Sequence, residues 1–297
     1  MVKEIFVKTI LNKHKKRDDW FLDDYSLNPY KSCEFNCIYC YIHGSKYGKH
    51  VNELSVKINA PALLRTALTK YARRKEYGFI ALSSATEPWM YIEEKYKITR
   101  KCLEIIAKFR FPVHCLTKST LILRDIDILQ EIDKNAILPE DLRKINHGVL
   151  ITISLSTLED KIARIFEPNA PSPKERLETL QKIKEYGFHA GIAYIPTLPF
   201  ISDSNEQLEE MVKRAKDIGA DYVFFSPLTL YGVGKKIFIS VLEKHFPELV
   251  PKYEKLYERK PCVPRNYSDQ YFKKVMYFCQ KHNVNFGITK LRITRGH

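Results

Sequence analysis

Asn28-Pro29-Tyr30-Lys31-Ser32-Cys33-Glu34-Phe35-Asn36-Cys37-Ile38-Tyr39-Cys40-Tyr41 is the stretch on which the reading of this 297-residue chain turns. It gathers three of the seven cysteines into eight residues with the spacing C-x3-C-x2-C, while Cys102, Cys115, Cys262 and Cys279 are scattered. An odd cysteine count and an N-terminus without a secretory signal argue against a disulfide framework and predict a reducing, cytoplasmic setting. A tight thiol cluster in that setting predicts metal or redox chemistry. Two kinds of site fit. Three thiolates on a short loop can hold three irons of a [4Fe–4S] cube and leave the fourth iron open to a substrate or cofactor. Tyr39, just before the third cysteine, would then shield one side of the cluster. Alternatively, His43 completes a CCCH zinc set, for which the loop has to turn sharply within three residues of Cys40.

Working outward, the loop follows the first of six strand-like runs: Tyr25–Tyr30, Phe79–Ser83, Val113–Thr117, Val149–Leu155, His189–Ile195 and Tyr222–Ser226. They are short and apolar nearly throughout, as strands buried on both faces of a parallel sheet are. Helical patterns alternate with them. Asn59-Ala60-Pro61 offers capping and first-turn chemistry ahead of Leu64, Leu68 and Tyr71. Pro173–Gly187 and Ser204–Gly219 are two more, the latter with Leu208, Met211, Val212 and Ala215 facing inward. The alternation predicts an α/β fold, a partial parallel (β/α)6 barrel over residues 25–240. A basic segment, residues 1–24, precedes it. A small helical appendage, residues 241–297, follows and contains a helix at Tyr271–His282. In such barrels the active site lies at the carboxyl ends of the strands. Here those ends are polar: Ser83-Ser84, Thr117-Lys118, Ser154 and Ser226.

The net charge is +14, unevenly placed: +8 in residues 1–150, −2 in residues 151–250 and +8 in the last 47 residues. A positive surface built from both chain ends makes nucleic acid the first candidate partner. Tyrosines are interleaved with the charges in Tyr253, Tyr257, Arg259, Lys260, Arg265, Tyr267 and Tyr271, a composition suited to phosphate contacts and base stacking, although Tyr253 and Tyr257, four apart, equally fit the packed face of a helix. No apolar run approaches the ~20 residues of a membrane span, so no membrane partner is expected.

The cysteine motif after a first parallel strand, together with Ala85-Thr86-Glu87-Pro88, Thr117-Lys118-Ser119 and Glu167-Pro168-Asn169-Ala170-Pro171 with Arg176, resembles the radical S-adenosylmethionine (SAM) superfamily. Within it the similarity is to the DNA repair photolyase-like branch related to spore photoproduct lyase, and it covers roughly residues 8–250. The resemblance implies a [4Fe–4S] cluster on Cys33, Cys37 and Cys40, with SAM chelated at the open iron through its amino and carboxylate groups. It implies reductive cleavage to methionine and a 5′-deoxyadenosyl radical that takes hydrogen from a substrate. Ser83 and Ser84 would face the methionine amino group, Lys118 the carboxylate or ribose, and Ser154 the ribose. Arg176 would reach the carboxylate, its rival role being a surface ion pair. An external electron donor such as a ferredoxin or flavodoxin is implied, as is a DNA substrate handled by a lyase. One departure stands out: the hydrogen-donating cysteine near the end of the second strand in spore photoproduct lyase is replaced by Ser83-Ser84-Ala85-Thr86, which argues against repair of spore photoproduct itself.

Two further readings stay open on the sequence. One is a radical SAM enzyme acting on a peptide or small metabolite. The other is a zinc-stabilised nucleic-acid-binding protein without catalysis.

Overall fold

The computed structural model describes residues 2–45, 53–82 and 85–289. Its strands are β1 (Lys3–Ile5), β2 (Leu11–Lys13), β3 (Asp23–Leu27), β4 (Tyr30–Lys31), β5 (Ser55–Lys57), β6 (Phe79–Leu82), β7 (Val113–Thr117), β8 (Val149–Leu155), β9 (His189–Thr197), β10 (Tyr222–Pro227) and β11 (Asn285–Phe286). Its helices are α1 (Ala60–Arg73), α2 (Glu93–Tyr96), α3 (Ile98–Phe109), α4 (Ile126–Asn135), α5 (Asp160–Phe166), α6 (Pro173–Glu185), α7 (Asn205–Ile218), α8 (Gly232–His245), α9 (Val250–Leu256) and α10 (Arg265–His282). No helix among the described residues is long and apolar enough to cross a membrane.

The backbone groups into two compact units: Met1–Glu34 with Asn52–Ile153 and Lys182–Ala190, and Phe35–Val51 with Ser154–Gln181 and Gly191–His297. In the first unit the main strands run in the order β2–β3–β6–β7–β8. Strand β2 is antiparallel to β3 (Leu11 opposite Leu27), and the other pairings are parallel, with Leu27 opposite Leu82, Ile80 opposite Val113 and Thr117 opposite Ile153. Every residue of β6 and β8 is buried, which is why those runs are apolar on both faces. A small second sheet pairs β1 and β4 with β5. In the second unit β9, β10 and β11 are parallel neighbours, Tyr222 lying opposite Gly191 and Val223 opposite Phe286. The expected α/β architecture with mostly parallel strands is therefore present, and neither unit closes its strands into a barrel among the described residues.

Two helix starts show how local chemistry is used. Ser204 caps α7 through a capping box with Gln207, and Leu208, Met211, Val212 and Ala215 are buried on its inner face. Asn59, expected to cap α1, makes no such bond. Its amide instead exchanges two hydrogen bonds with the Val7 backbone (3.1 and 2.8 Å), tying the N-terminal segment to the start of the helix. The first expected strand, Tyr25–Tyr30, is split at Asn28-Pro29, because proline cannot donate to a ladder and turns Tyr30–Lys31 onto β5.

Candidate functional site

The motif residues fall in both units, and each unit organises its share separately. In the first, the chain leaves β4 through Ser32, whose backbone is left-handed (φ 67°), and reaches the half-buried Cys33. On one side of Cys33 the buried Tyr30 hydroxyl donates to Glu93. On the other, the Glu34 carboxylate accepts the Ile92 N–H (3.0 Å) and the Glu34 N–H points at Met90 Sδ (3.2 Å). The first cysteine is thereby fastened to the segment that follows β6.

Two fully buried carboxylates, Glu93 and Asp125, stabilise that segment. Arg124 reaches both (2.8 and 2.7 Å), Arg100 reaches Asp125 (3.1 Å), and the Trp89 indole N–H donates to Asp125 (2.9 Å). Buried charge persists only when paired and hydrogen-bonded in this way. Beside them Glu87 accepts three bonds: from Thr117 Oγ1 (2.5 Å), the Lys118 N–H (2.9 Å) and the Trp89 N–H (3.1 Å). Burial pushes the Glu87 carboxyl above its usual range, and those donors and Lys118 pull it part of the way back. The effect is to fix the carboxyl end of β7, where Lys118 stands half-buried.

In the second unit Asn36, again left-handed (φ 46°), turns the chain into Cys37-Ile38-Tyr39-Cys40. The Cys40 N–H donates to the Cys37 carbonyl (3.0 Å) and the Ile38 N–H to the Phe166 carbonyl (2.8 Å). Cys37 and Cys40 are half-buried. Tyr39 is buried, and its hydroxyl donates to Glu167, which also accepts from Ser156 Oγ (3.1 Å) and forms an ion pair with Arg176. Arg176 completes its set on two carbonyls, of Pro171 and Ser154, each at 2.8 Å. Burial works against the guanidinium charge, yet the Glu167 carboxylate outweighs it and holds Arg176 above its ordinary value. Burial, then Glu167, holds the Tyr39 phenol well above the usual phenol range.

The strand-end expectations meet different outcomes. Ser83 and Ser84 lie outside the described residues. The Ser154 side chain is buried and donates to the Ile195 carbonyl (3.4 Å). The surface ion pair weighed for Arg176 is corrected: the pair exists, but it is 1% exposed and all three guanidinium nitrogens are engaged inside the fold. Glu93, Asp125, Arg100 and Arg124 were not singled out from the sequence, since separated charges on polar helices and turns carry no local mark of being buried. The stacking surface expected from the C-terminal tyrosines is also corrected. Tyr253, Tyr257 and Tyr271 are buried, their hydroxyls on the Pro199 carbonyl (2.5 Å), the Leu228 carbonyl (2.7 Å) and the Thr197 hydroxyl (2.5 Å). Arg259 and Arg265 are by contrast 91% and 89% exposed.

The donor set suits an iron–sulfur cluster: three soft thiolates, half-buried on one loop. Among the described residues no group of three His, Cys, Asp or Glu side chains forms a ready-made metal cage. The His43 ring, the fourth member of the zinc alternative, has its Nε2 3.1 Å from the Cys37 carbonyl; a carbonyl only accepts, so that nitrogen carries the proton and donates. The remaining thiols differ in kind. Cys102, Cys115 and Cys279 are buried, and burial raises their thiols, Cys279 to about 12, so they remain protonated and inert.

Comparison with known proteins follows this geometry. The sequence pattern of the Radical SAM superfamily matches residues 27–215. The chain is 27% identical over 267 residues to an uncharacterised protein of Mycobacterium tuberculosis, covering 88% of this chain and 75% of that one. It is 22% identical over 260 residues to a radical SAM Nα-GlyT isomerase of Pseudomonas phage M6, covering 86% of this chain and 50% of the isomerase. Among solved structures, spore photoproduct lyase with bound AdoMet and a dinucleoside spore photoproduct matches with a TM-score of 0.69 at 12% identity, covering 95% of this chain and 79% of that one. At that identity the likeness is one of fold.

Proposed function

This chain belongs to the radical SAM superfamily, and on that premise we propose that it is an enzyme holding one [4Fe–4S] cluster on Cys33, Cys37 and Cys40, with SAM as its co-substrate and nucleic acid as its substrate. Bound together, the cluster and SAM supply reductive cleavage of the sulfonium and a 5′-deoxyadenosyl radical. The protein's part is to hold and orient. Ser83 and Ser84 receive the methionine amino group, Lys118 the carboxylate or ribose and Ser154 the ribose. Arg176 acts one step back, positioning the Cys37–Cys40 turn through Glu167 and Tyr39.

The observation that carries this reading is the C-x3-C-x2-C loop itself, within the matched family region and fastened by dedicated buried contacts on both sides of its cysteines. Nucleic acid as substrate is supported by the exposed Arg259, Lys260 and Arg265, by the excess positive charge of both chain ends, and by the dinucleoside in the structure of spore photoproduct lyase. Because Tyr253, Tyr257 and Tyr271 are buried and the half-buried Tyr267 donates its hydroxyl to Asp203, the contact proposed here is with phosphates. A lyase acting on a DNA lesion is the finer form of the proposal, in a cytoplasm that supplies the electron.

Anaerobic reconstitution with iron and sulfide, followed by incubation with SAM and dithionite, tests it. Four irons per chain and release of 5′-deoxyadenosine are expected. A colourless protein carrying one zinc and releasing none would overturn the assignment. Binding to DNA or RNA should fall steeply with salt. A protein that cleaves SAM but binds no nucleic acid at low salt moves the substrate to a peptide or metabolite.

A further inference from the structure

In the second unit, the loop that follows β9, residues 198–204, leaves its strand at the carboxyl end, where parallel sheets receive their ligands. It is held from several sides. Leu198 and Ile201 lie in the same buried apolar cluster as Tyr39 and Tyr253, and Cys37 packs against that cluster. The Tyr253 hydroxyl donates to the Pro199 carbonyl (2.5 Å), the Ser202 N–H to the Leu198 carbonyl (2.9 Å) and the Leu198 N–H to Ser202 Oγ (2.9 Å). Within this fixed loop stands Phe200, 44% exposed. Its backbone is left-handed (φ 63°), a conformation that glycine or asparagine adopts readily and a bulky side chain does not. The Phe200 N–H donates to Asp203 Oδ1 (2.7 Å), and Asp203 Oδ2 accepts from the Tyr267 hydroxyl, so α10 braces the strained residue as well. A rigid loop that keeps an aromatic ring exposed, in a backbone conformation unfavourable to that residue, points to a contact made outside the fold.

The surroundings of the ring give that contact a chemistry. Tyr253 and Tyr267 meet Phe200 with ring centroids 5.9 and 6.3 Å away, both with planes inclined at 73°, so neither tyrosine is stacked parallel on it. The exposed Lys252 holds its Nζ 5.6 Å from the ring centroid. The segment that carries this lysine, residues 250–265, has five basic side chains against two acidic, which favours an anionic occupant. An aromatic plane with an ammonium beside it matches a single nucleotide, in which a base offers a π-face and the phosphate next to it offers the charge. A neutral peptide or metabolite would use the ring and leave the cation without a partner of opposite sign.

We propose that Phe200 is the stacking platform for one unpaired base of the nucleic-acid substrate, with Lys252 on the adjoining phosphate. The proposal rests on the nucleic-acid reading above and deepens it, adding a base contact to the phosphate contacts assigned to Arg259, Lys260 and Arg265. The loop is fixed before the base arrives, so no side chain of the platform has to be ordered on binding.

A fluorescently labelled single-stranded oligodeoxyadenylate is the probe, and its anisotropy with the reconstituted protein reads affinity without turnover. Phe200→Leu keeps an apolar side chain and removes the π-face. It should bind about tenfold more weakly than wild type, with the same dependence on salt. Phe200→Trp offers a larger face and should bind at least as tightly as wild type. Lys252→Gln should reduce the steepness of log affinity against log salt by about 0.7, the share of one phosphate contact on a single strand. Cluster absorption in each variant should match wild type, which separates a lost contact from a lost fold. Equal affinity in wild type and Phe200→Leu overturns the platform. An equal loss in Phe200→Leu and Phe200→Trp overturns it too, since the ring would then serve only to pack the loop. An unchanged salt dependence in Lys252→Gln overturns the phosphate contact. A wild type that binds no nucleic acid at low salt would instead overturn the reading beneath the proposal.

Discussion

Replacing Arg176 by methionine removes the cation from a site where everything around it has been arranged for a charge. The side chain is 1% exposed and Glu167 is 0% exposed. Methionine fills much of the same volume but leaves the Pro171 and Ser154 carbonyls without the donors that now lie 2.8 Å away. Glu167 keeps the Tyr39 and Ser156 hydroxyls but loses its cation. Removing one partner of a buried pair costs about 3–5 kcal/mol, so the urea midpoint of the as-purified protein should drop sharply. Arg176→Met combined with Glu167→Leu should recover part of that loss, because an apolar pair leaves no isolated charge, while the Tyr39 hydroxyl still loses its charged acceptor. Tyr39→Phe should lose about 1.5–3 kcal/mol, the range for a hydrogen bond to a charged acceptor. Iron incorporation separates a general fold defect from a local one. It should fall in Tyr39→Phe and stay low in the double variant, since both lose the hold on the turn between Cys37 and Cys40. A loss below about 1 kcal/mol in Arg176→Met would refute the account of a buried, uncompensated carboxylate.

Three further outcomes follow from other parts of the molecule. Cys37→Ala should abolish the visible absorption of the reconstituted cluster while Cys102→Ala and Cys279→Ala leave it intact, and full four-iron content in Cys37→Ala would remove the motif from the site. Lys118→Ala should weaken SAM binding by about 1.5–3 kcal/mol with iron content unchanged; equal affinity by equilibrium dialysis would exclude Lys118. The Lys281 and His282 contacts at 2.7 Å hold the Glu209 carboxyl at about 2, below its usual 4.5. Its contribution to the α7–α10 contact is therefore present above pH 4.5 and lost as pH falls toward 2. Glu209→Gln should flatten that acid limb of the urea midpoint against pH, and an unchanged limb would show that the contact carries no stability.

Burial explains which parts of this architecture were readable before the coordinates. Strands β7 and β8 coincide with their sequence expectations end to end, since runs buried on both faces are mostly apolar. The short strands β1, β2 and β5 carry little sequence signal: Lys3–Ile5, Leu11–Lys13 and Ser55–Lys57 each have at least one charge and only three residues. Helix α8 carries a weak sequence signal because Gly232 and Gly234 lower helix propensity at its start. The cysteine triplet was legible because its spacing is itself the chemistry. Its supports were not. Glu167 and Arg176 are nine residues apart with opposite charges, a pattern that surface helices show constantly, and only tertiary packing reveals that both are buried with Tyr39. Tyr253 and Tyr257 fit two readings, a stacking surface or the packed face of a helix, and only their hydroxyls on backbone carbonyls decide for the second.

Those same hydroxyls bear on how such a chain can change over generations. Tyr253 and Tyr257 grip the carbonyl oxygens of Pro199 and Leu228, in the loops that follow β9 and β10. Every amino acid brings a carbonyl, so the grip does not depend on which side chains the loops display. Mutations can therefore rewrite the chemical face of those loops while their paths stay put. The C-terminal helices thus act as a jig, holding shape constant while recognition is free to drift.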